Sequence, residues 1–185
     1  ESLRADSLPQ ALYTHSLFAY EREFLARLGP ALELGRAFVR PEYQRCSRAL
    51  ALLWAGIVSL LARLERPRLL FGAVSVSALY TPPSRALIAA ALLAHHRHAP
   101  TLGLVRAREP FELDPPPRID LAALADVRAL DAAVAALEPD GKRLPVLLRR
   151  YLQLGGKFAA FHVDSNFGST LDGLMLLDPA RADAD

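Results

Sequence analysis

The longest apolar run of the chain, Ala49 to Ala62, is fourteen residues bounded by Arg48 and Arg63. As a helix it would be about 21 Å long, short of the roughly 30 Å of hydrocarbon that a spanning helix must cross. The run therefore predicts a buried helix inside a folded domain, with Ser47 as its cap and Trp54, Ile57, Val58 and Leu61 turned to the core. Such a helix needs a partner layer, and the composition says of what kind. There are 32 alanines and 36 leucines against 9 valines and 3 isoleucines, so helix should outweigh strand. A hydrophobic content of 52% against 23% charged residues excludes a disordered chain, and 185 residues suit one domain with a sizeable core.

Glycine and proline divide the remainder into short elements. Leu12, Leu17, Phe18, Phe24, Leu25 and Leu28 recur at helical spacing until Gly29-Pro30 stops them. Leu32 to Val39, LELGRAFV, lies between that stop and Pro41 and reads as a strand, followed by a loop and the helix from Ser47 to near Leu64. A second unit repeats the pattern, with a strand over Leu69 to Ser77, a turn at Thr81-Pro82-Pro83 and a helix from Ser84, its cap, to about His96. The proline-rich stretch Arg106 to Arg118 predicts a surface crossing. Leu121, Leu124, Val127, Leu130, Val134 and Leu137 mark an amphipathic helix that Pro139-Asp140-Gly141 ends, and a shorter helix lies between Pro145 and Gly155-Gly156. Strands at Lys157 to Val163 and Leu171 to Leu177, joined through Asp164 to Thr170, predict a wide hairpin, with a frayed end after Ala180. Strands alternating with helices in this order predict an α/β fold.

A net charge of +2, from 22 basic and 20 acidic residues, gives nucleic acid no general attraction to this chain. Cys46 is the only cysteine, which excludes a disulfide framework and a cysteine-based zinc site and makes a reducing cytoplasm the default compartment. His95, His96 and His98 are too closely spaced to converge on one ion and predict a solvated helix end rather than a metal site. The informative segment is LELGRAFVRPEYQRCSRALALLW, residues 32 to 54. Glu33 and Arg36 would face opposite ways in a regular strand, and a bulge at Gly35 would bring them to one side. So placed, they read either as a structural ion pair or as a carboxylate oriented to take a proton from an attacking amine. Arg40, Arg45 and Arg48 lead to a helix N-terminus, which reads either as a solvated basic loop or as an anion site.

The segments LELGRAFVRPEYQ, ALALLWAGI, LFGAVSVSALYTPPSRALI, DGKRLPVLLRRYLQLGGKF and FHVDSNFGSTLDGLMLLD together resemble, in order over residues 31 to 178, the hemolysin-like acyltransferases of the GNAT superfamily. That group includes bacterial ornithine-lipid N-acyltransferases. The Glu-x-x-Arg spacing of Glu33 and Arg36 is also similar to acyl-homoserine lactone synthases, and the chain is similar to N-acyl amino acid synthases. The resemblance implies a GNAT-like mixed sheet flanked by helices over residues 1–178, with a tail at 179–185 and the first strands and helices of the fold lying before this chain. It makes Leu32 to Val39 and Leu69 to Ser77 the two strands whose splaying opens the acyl-donor cleft.

The resemblance further implies the chemistry. Glu33 would accept the proton of the attacking amine and Arg36 would position it. Arg40, Arg45, Ser47 and Arg48 would face the donor. The glycine-rich pyrophosphate loop usual in GNAT proteins is absent, which favours acyl carrier protein over coenzyme A as co-substrate, with no tightly bound cofactor. Ser75, Ser77, Tyr80 and Arg85, by their place on the second strand and the turn after it, would hold a small amino-acid acceptor, and the resemblance adds Asp164 and Asp172. The implied reaction moves a long-chain acyl group to an α-amino group, most plainly that of L-ornithine, with peripheral contact at the inner face of the cytoplasmic membrane. The second reading is a noncatalytic acyl-binding or interaction module of a larger lipid enzyme. A pore, suggested by the older family name, has no spanning segment to build it.

Overall fold

The computed structural model describes residues 11–35, 39–43, 47–63, 69–112 and 120–181. A 3-10 turn at Tyr13–Ser16 leads into β1 (Phe18–Tyr20) and α1 (Arg22–Leu28). Next come β2 (Ala31–Glu33), α2 (Ser47–Arg63), β3 (Leu69–Val76), α3 (Pro82–His95) and β4 (Val105–Ala107). The remainder is α4 (Val127–Leu137), α5 (Val146–Gln153), β5 (Lys157–Asp164) and β6 (Thr170–Leu177), followed by a 3-10 turn at Pro179–Arg181.

Four strands form a mixed sheet in the order β2-β3-β6-β5, with β2 parallel to β3 and the other neighbours antiparallel. Alternation of side chains gives this sheet two different faces. On the first, Leu70, Val74, Leu171, Met175 and Phe158 pack with residues of α3, α4 and α5, including Ile88, Leu92, Leu130, Val134 and Leu148. On the second, Phe71, Leu174 and Leu176 meet Phe18 of β1, Phe24 and Leu28 of α1, and Val105 of β4. A side chain such as Phe158, fully withdrawn from water, contributes about 2 kcal/mol by burial alone. The architecture is the α/β class expected, a mixed sheet flanked by helices.

Several elements differ from the sequence expectation. The helical period over Leu12 to Leu28 is broken by β1, because Phe18, Ala19 and Tyr20 pair with Ala107, Arg106 and Val105 of β4. That partner lies far along the chain, at the start of the stretch expected to be an unpacked crossing, so no local signal announces either strand. Of the strand expected over Leu32 to Val39, the described residues pair only through Glu33, and residues 36–38 lie outside them. The cap of α3 is Thr81 rather than Ser84: its hydroxyl accepts from the Ser84 amide at 3.4 Å, Pro82 and Pro83 occupy the first helical positions, and Ser84 is buried inside the helix.

The apolar run forms α2, but the helix is not buried all round. Trp54, Ile57 and Leu61 pack on the first-face core, whereas Leu52 and Val58 are 68% and 61% exposed. Val58 therefore faces outward, contrary to the expectation. The histidines at the end of α3 are half-buried rather than solvated: His95 Nε2 lies 2.6 Å from the Leu121 carbonyl and His98 Nδ1 lies 2.9 Å from Thr101 Oγ1. Among the described residues no helix is long and apolar enough to cross a membrane, and no group of side chains is arranged to hold a metal.

Candidate active site

The sheet is interrupted where β2 leaves β3. Ala31, Leu32 and Glu33 pair with Leu69, Leu70 and Phe71, and the Leu34 amide still donates to the Phe71 carbonyl at 2.7 Å. There the chain of β2 turns over β3, and the Leu34 carbonyl oxygen sits only 2.1 Å from where a Cβ on Gly72 would lie. Glycine at 72 is what permits this backbone approach. Among the described residues no strand pairs with 72–76 on that side. A strand turns the N–H and C=O of successive residues to alternate sides, so Ala73 and Ser75, like Phe71, present theirs to the open edge. The parting therefore occurs one residue after β2 and is made by Leu34 over Gly72. The bulge expected at Gly35 is not inside a strand, because β2 has already ended.

Glu33 stands at the start of this opening, on the second face with its partner Phe71. Its Oε2 accepts from the Tyr13 amide at 3.0 Å, and its Oε1 accepts from the Thr14 amide at 2.7 Å and the Thr14 hydroxyl at 2.6 Å. The carboxylate thus fastens the 3-10 turn at Tyr13–Ser16 to β2. Tyr20, whose ring stacks on Phe24 at 4.4 Å, lies close by. Burial pushes its phenol upward, and the charge of Glu33 acts in the same direction.

Further along the open edge a polar row crosses three strands. Ser75 of β3 is opposite Asp172 of β6, which is opposite His162 of β5. The Ser75 hydroxyl donates a short hydrogen bond to Asp172 Oδ1, and Thr170 Oγ1 donates to Oδ2 at 3.2 Å. Asp172 and His162 are each 3% exposed, whereas Ser75 is open to solvent. His162 Nδ1 accepts the Glu109 amide at 3.0 Å, which leaves the proton of the neutral ring on Nε2, and its ring rests 5.9 Å from that of Phe18. Burial raises the Asp172 carboxyl above its ordinary value; the Ser75 and Thr170 hydroxyls and the neighbouring His162 oppose the shift, and the Asp164 charge adds to it. A carboxylate between serine and histidine is not the order of a nucleophilic triad, in which the imidazole touches the hydroxyl.

The remaining expected residues are dispersed. Asp164 Oδ1 accepts from the Asn166 and Phe167 amides at 3.0 and 3.1 Å, so it shapes the hairpin turn while its charge reaches Asp172. Arg85 donates to the Ser169 carbonyl at 2.8 Å and lies over the Phe111 ring, at the same end of the sheet. Ser77 accepts the Leu79 amide at 3.1 Å in the turn after β3, and Tyr80 donates to the Arg143 carbonyl at 2.6 Å, in the loop between α4 and α5. Arg40 pairs with Glu42 at 2.5 Å, and Arg48 is exposed on the first turn of α2, which begins at Ser47. Arg36 and Arg45 lie outside the described residues. His162, Thr170, Thr14 and Gly72 were not among the expected site residues. Only His162 had a local signal, through its register in the hairpin.

A family model described as an acetyltransferase (GNAT) domain matches residues 2–55, the stretch that holds Glu33, Arg36, Arg40, Arg45, Ser47 and Arg48. No curated protein and no solved structure matches the chain at a significant level. The match supports the GNAT superfamily, and the mixed sheet flanked by helices is consistent with a GNAT-like fold. It supports a general acyltransferase activity.

Proposed function

We propose that the chain carries out acyl transfer from the thioester of an acyl carrier protein to the α-amino group of a small amino acid of the ornithine type. The observation that most supports this reading is the parting of β2 from β3 after Glu33, which leaves the Ala73 and Ser75 backbone groups along an open edge. An extended acyl-pantetheine arm laid there would find strand-like hydrogen-bonding partners, and an N–H group of that edge would stabilise the oxyanion that forms when an amine attacks the thioester. The second-face end of the opening carries the exposed Ser75 hydroxyl and, behind it, Asp172 and Asp164, a negative surrounding suited to an ammonium group. Arg40 and Arg48 are exposed toward an acidic carrier, and Arg36 and Arg45 extend the basic stretch in sequence.

Acceptor and donor identity rest on the sequence resemblance. A lipid product agrees with the exposure of the aliphatic side chains Leu52, Val58 and Leu60 on α2, a helix that ends in Arg63 and carries Arg48 on its first turn. The test is to incubate the protein with acyl carrier protein bearing a labelled acyl chain and a panel of amino acids, and to read the product by mass. The expected product is an N-acyl amino acid with ornithine preferred. Absence of amide product from carrier-protein and coenzyme A thioesters alike would overturn the reading.

A further inference from the structure

Glu33 stands at the start of the opening, whereas Asp172 lies across β3 behind the exposed Ser75 hydroxyl. Resting on the acyl-transfer reading, we infer that Asp172, reached through the Ser75 hydroxyl, is the proton acceptor for the attacking amine, with His162 as a positioning residue. The distinction from Glu33 is geometric. Glu33 already accepts from three donors of Tyr13 and Thr14, which hold it in place. It also pairs with Phe71, four residues before Ser75, so about 13 Å of strand separates the two positions. A thioester carbonyl bound by Ala73 or Ser75 backbone groups lies beside Ser75.

Ser75 is exposed, and its hydrogen is directed to Asp172, so its lone pairs are turned outward to receive an N–H. Asp172 is withdrawn from water, and the exposed hydroxyl bonded to its Oδ1 is that of Ser75, with the half-buried Thr170 on Oδ2. The groups that face Asp172 are Ser75 from β3, Thr170 on its own strand, and Asp164 and His162 from β5. His162 is fixed by the Glu109 amide and flanked by Phe18, so it holds the β5 side of the row in one arrangement.

The neutral amine attacks the thioester carbon and forms the N–C bond, leaving a negative oxygen and a positively charged, acidic nitrogen. A nitrogen proton passes to Ser75 Oγ as the proton of Ser75 passes to Asp172. The oxyanion collapses, the C–S bond breaks with its electron pair on sulfur, and Asp172 then gives its proton to the thiolate or to water. General-base assistance of this kind is worth about 100-fold or more.

The experiment has two arms. In the first, turnover with acyl carrier protein thioester and L-ornithine is measured across pH for wild type, Ser75→Ala, Ser75→Thr and Asp172→Asn. Ser75→Ala and Asp172→Asn should lose about 100-fold in kcat with the donor KM unchanged, Ser75→Thr should restore most of it, and wild-type kcat should fall toward acid as Asp172 takes up a proton. An Asp172→Asn kcat within twofold of wild type overturns the inference. In the second arm, the Asp172 carboxyl is followed by carbon NMR while L-ornithine is added. Its resonance should move in wild type and stay in Ser75→Ala; no movement in wild type overturns the inference. Wild type that acylates no amine removes the proposed function, and the NMR arm then decides the role of the Ser75–Asp172 pair as an amine-responsive site.

Discussion

Glu138 and Asp172 are buried alike, at 4% and 3% exposure, yet their carboxyl groups shift in opposite directions. Burial opposes the charge of both. At Glu138, hydrogen bonds from Ser84 and from the Thr81 amide and hydroxyl, together with the Lys142 ammonium, outweigh it and bring the pKa down to about 2. The Thr81 donors lie 2.8 and 2.9 Å from Oε1, and Lys142 Nζ lies 3.2 Å from Oε2. At Asp172 two hydroxyls are the donors, and the nearby Asp164 carries the same charge. The difference separates a clamp from a reactive group. Glu138 joins the end of α4 to the start of α3 and is held ionised, whereas Asp172 sits where a proton is more readily accepted and lies behind an exposed hydroxyl.

Glu138→Gln gives the largest expected change in stability. The amide keeps an acceptor for Thr81 and loses the charge that faces Lys142, so unfolding by urea at neutral pH should show a loss of about 2 kcal/mol, the scale of a hydrogen bond to a charged group. The pH dependence carries the sign. A folded pKa of about 2 against an ordinary 4.5 means that the contribution is complete above the ordinary value and lost as pH falls through about 2. The gap between wild type and variant should therefore close as pH drops through that window. A gap unchanged by pH would break the contrast with Asp172.

Thr81→Ala should act on the same clamp with about half the effect. It removes the α3 cap and one donor to Glu138, for a loss of about 1 kcal/mol in the same measurement. Glu138 should then titrate closer to an ordinary carboxylate. An unchanged titration would mean that Lys142 and the backbone suffice to hold the charge.

Much of this arrangement was legible in the sequence, to different depths for physical reasons. The hairpin is written in local alternation, and the turn between Asp164 and Thr170 sets the register that places His162 opposite Asp172. That pairing follows from counting outward from the turn, although histidine and aspartate ten residues apart look unrelated on a line. The cap of α3 was expected at Ser84 and lies at Thr81, although prolines at 82 and 83 suit the first helical positions and so point to a cap before them. Gly72 was not legible, because its reason is a carbonyl from Leu34, nearly forty residues earlier. The outward face of α2 was hidden by uniformity, since a helix apolar all round does not declare which stripe packs.

Asp172→Asn gives the smallest stability change and the most informative one, because its sign should be opposite to that of Glu138→Gln. A folded pKa raised above the ordinary 3.8 means that the native state binds this proton more readily than the unfolded chain. Ionised Asp172 therefore lowers stability once pH rises past its folded value, and the penalty vanishes below the ordinary value. Asparagine retains an oxygen for the Ser75 hydroxyl and an amide group for Thr170 while removing the charge that Asp164 repels. The variant should thus be more stable than wild type at neutral pH, and equal to it in acid, in parallel thermal melts. Stability gained together with turnover lost is the pattern of a carboxylate kept for reaction rather than for folding. A loss of about 2 kcal/mol at neutral pH, as expected for Glu138→Gln, would make both carboxylates structural and erase the difference between them.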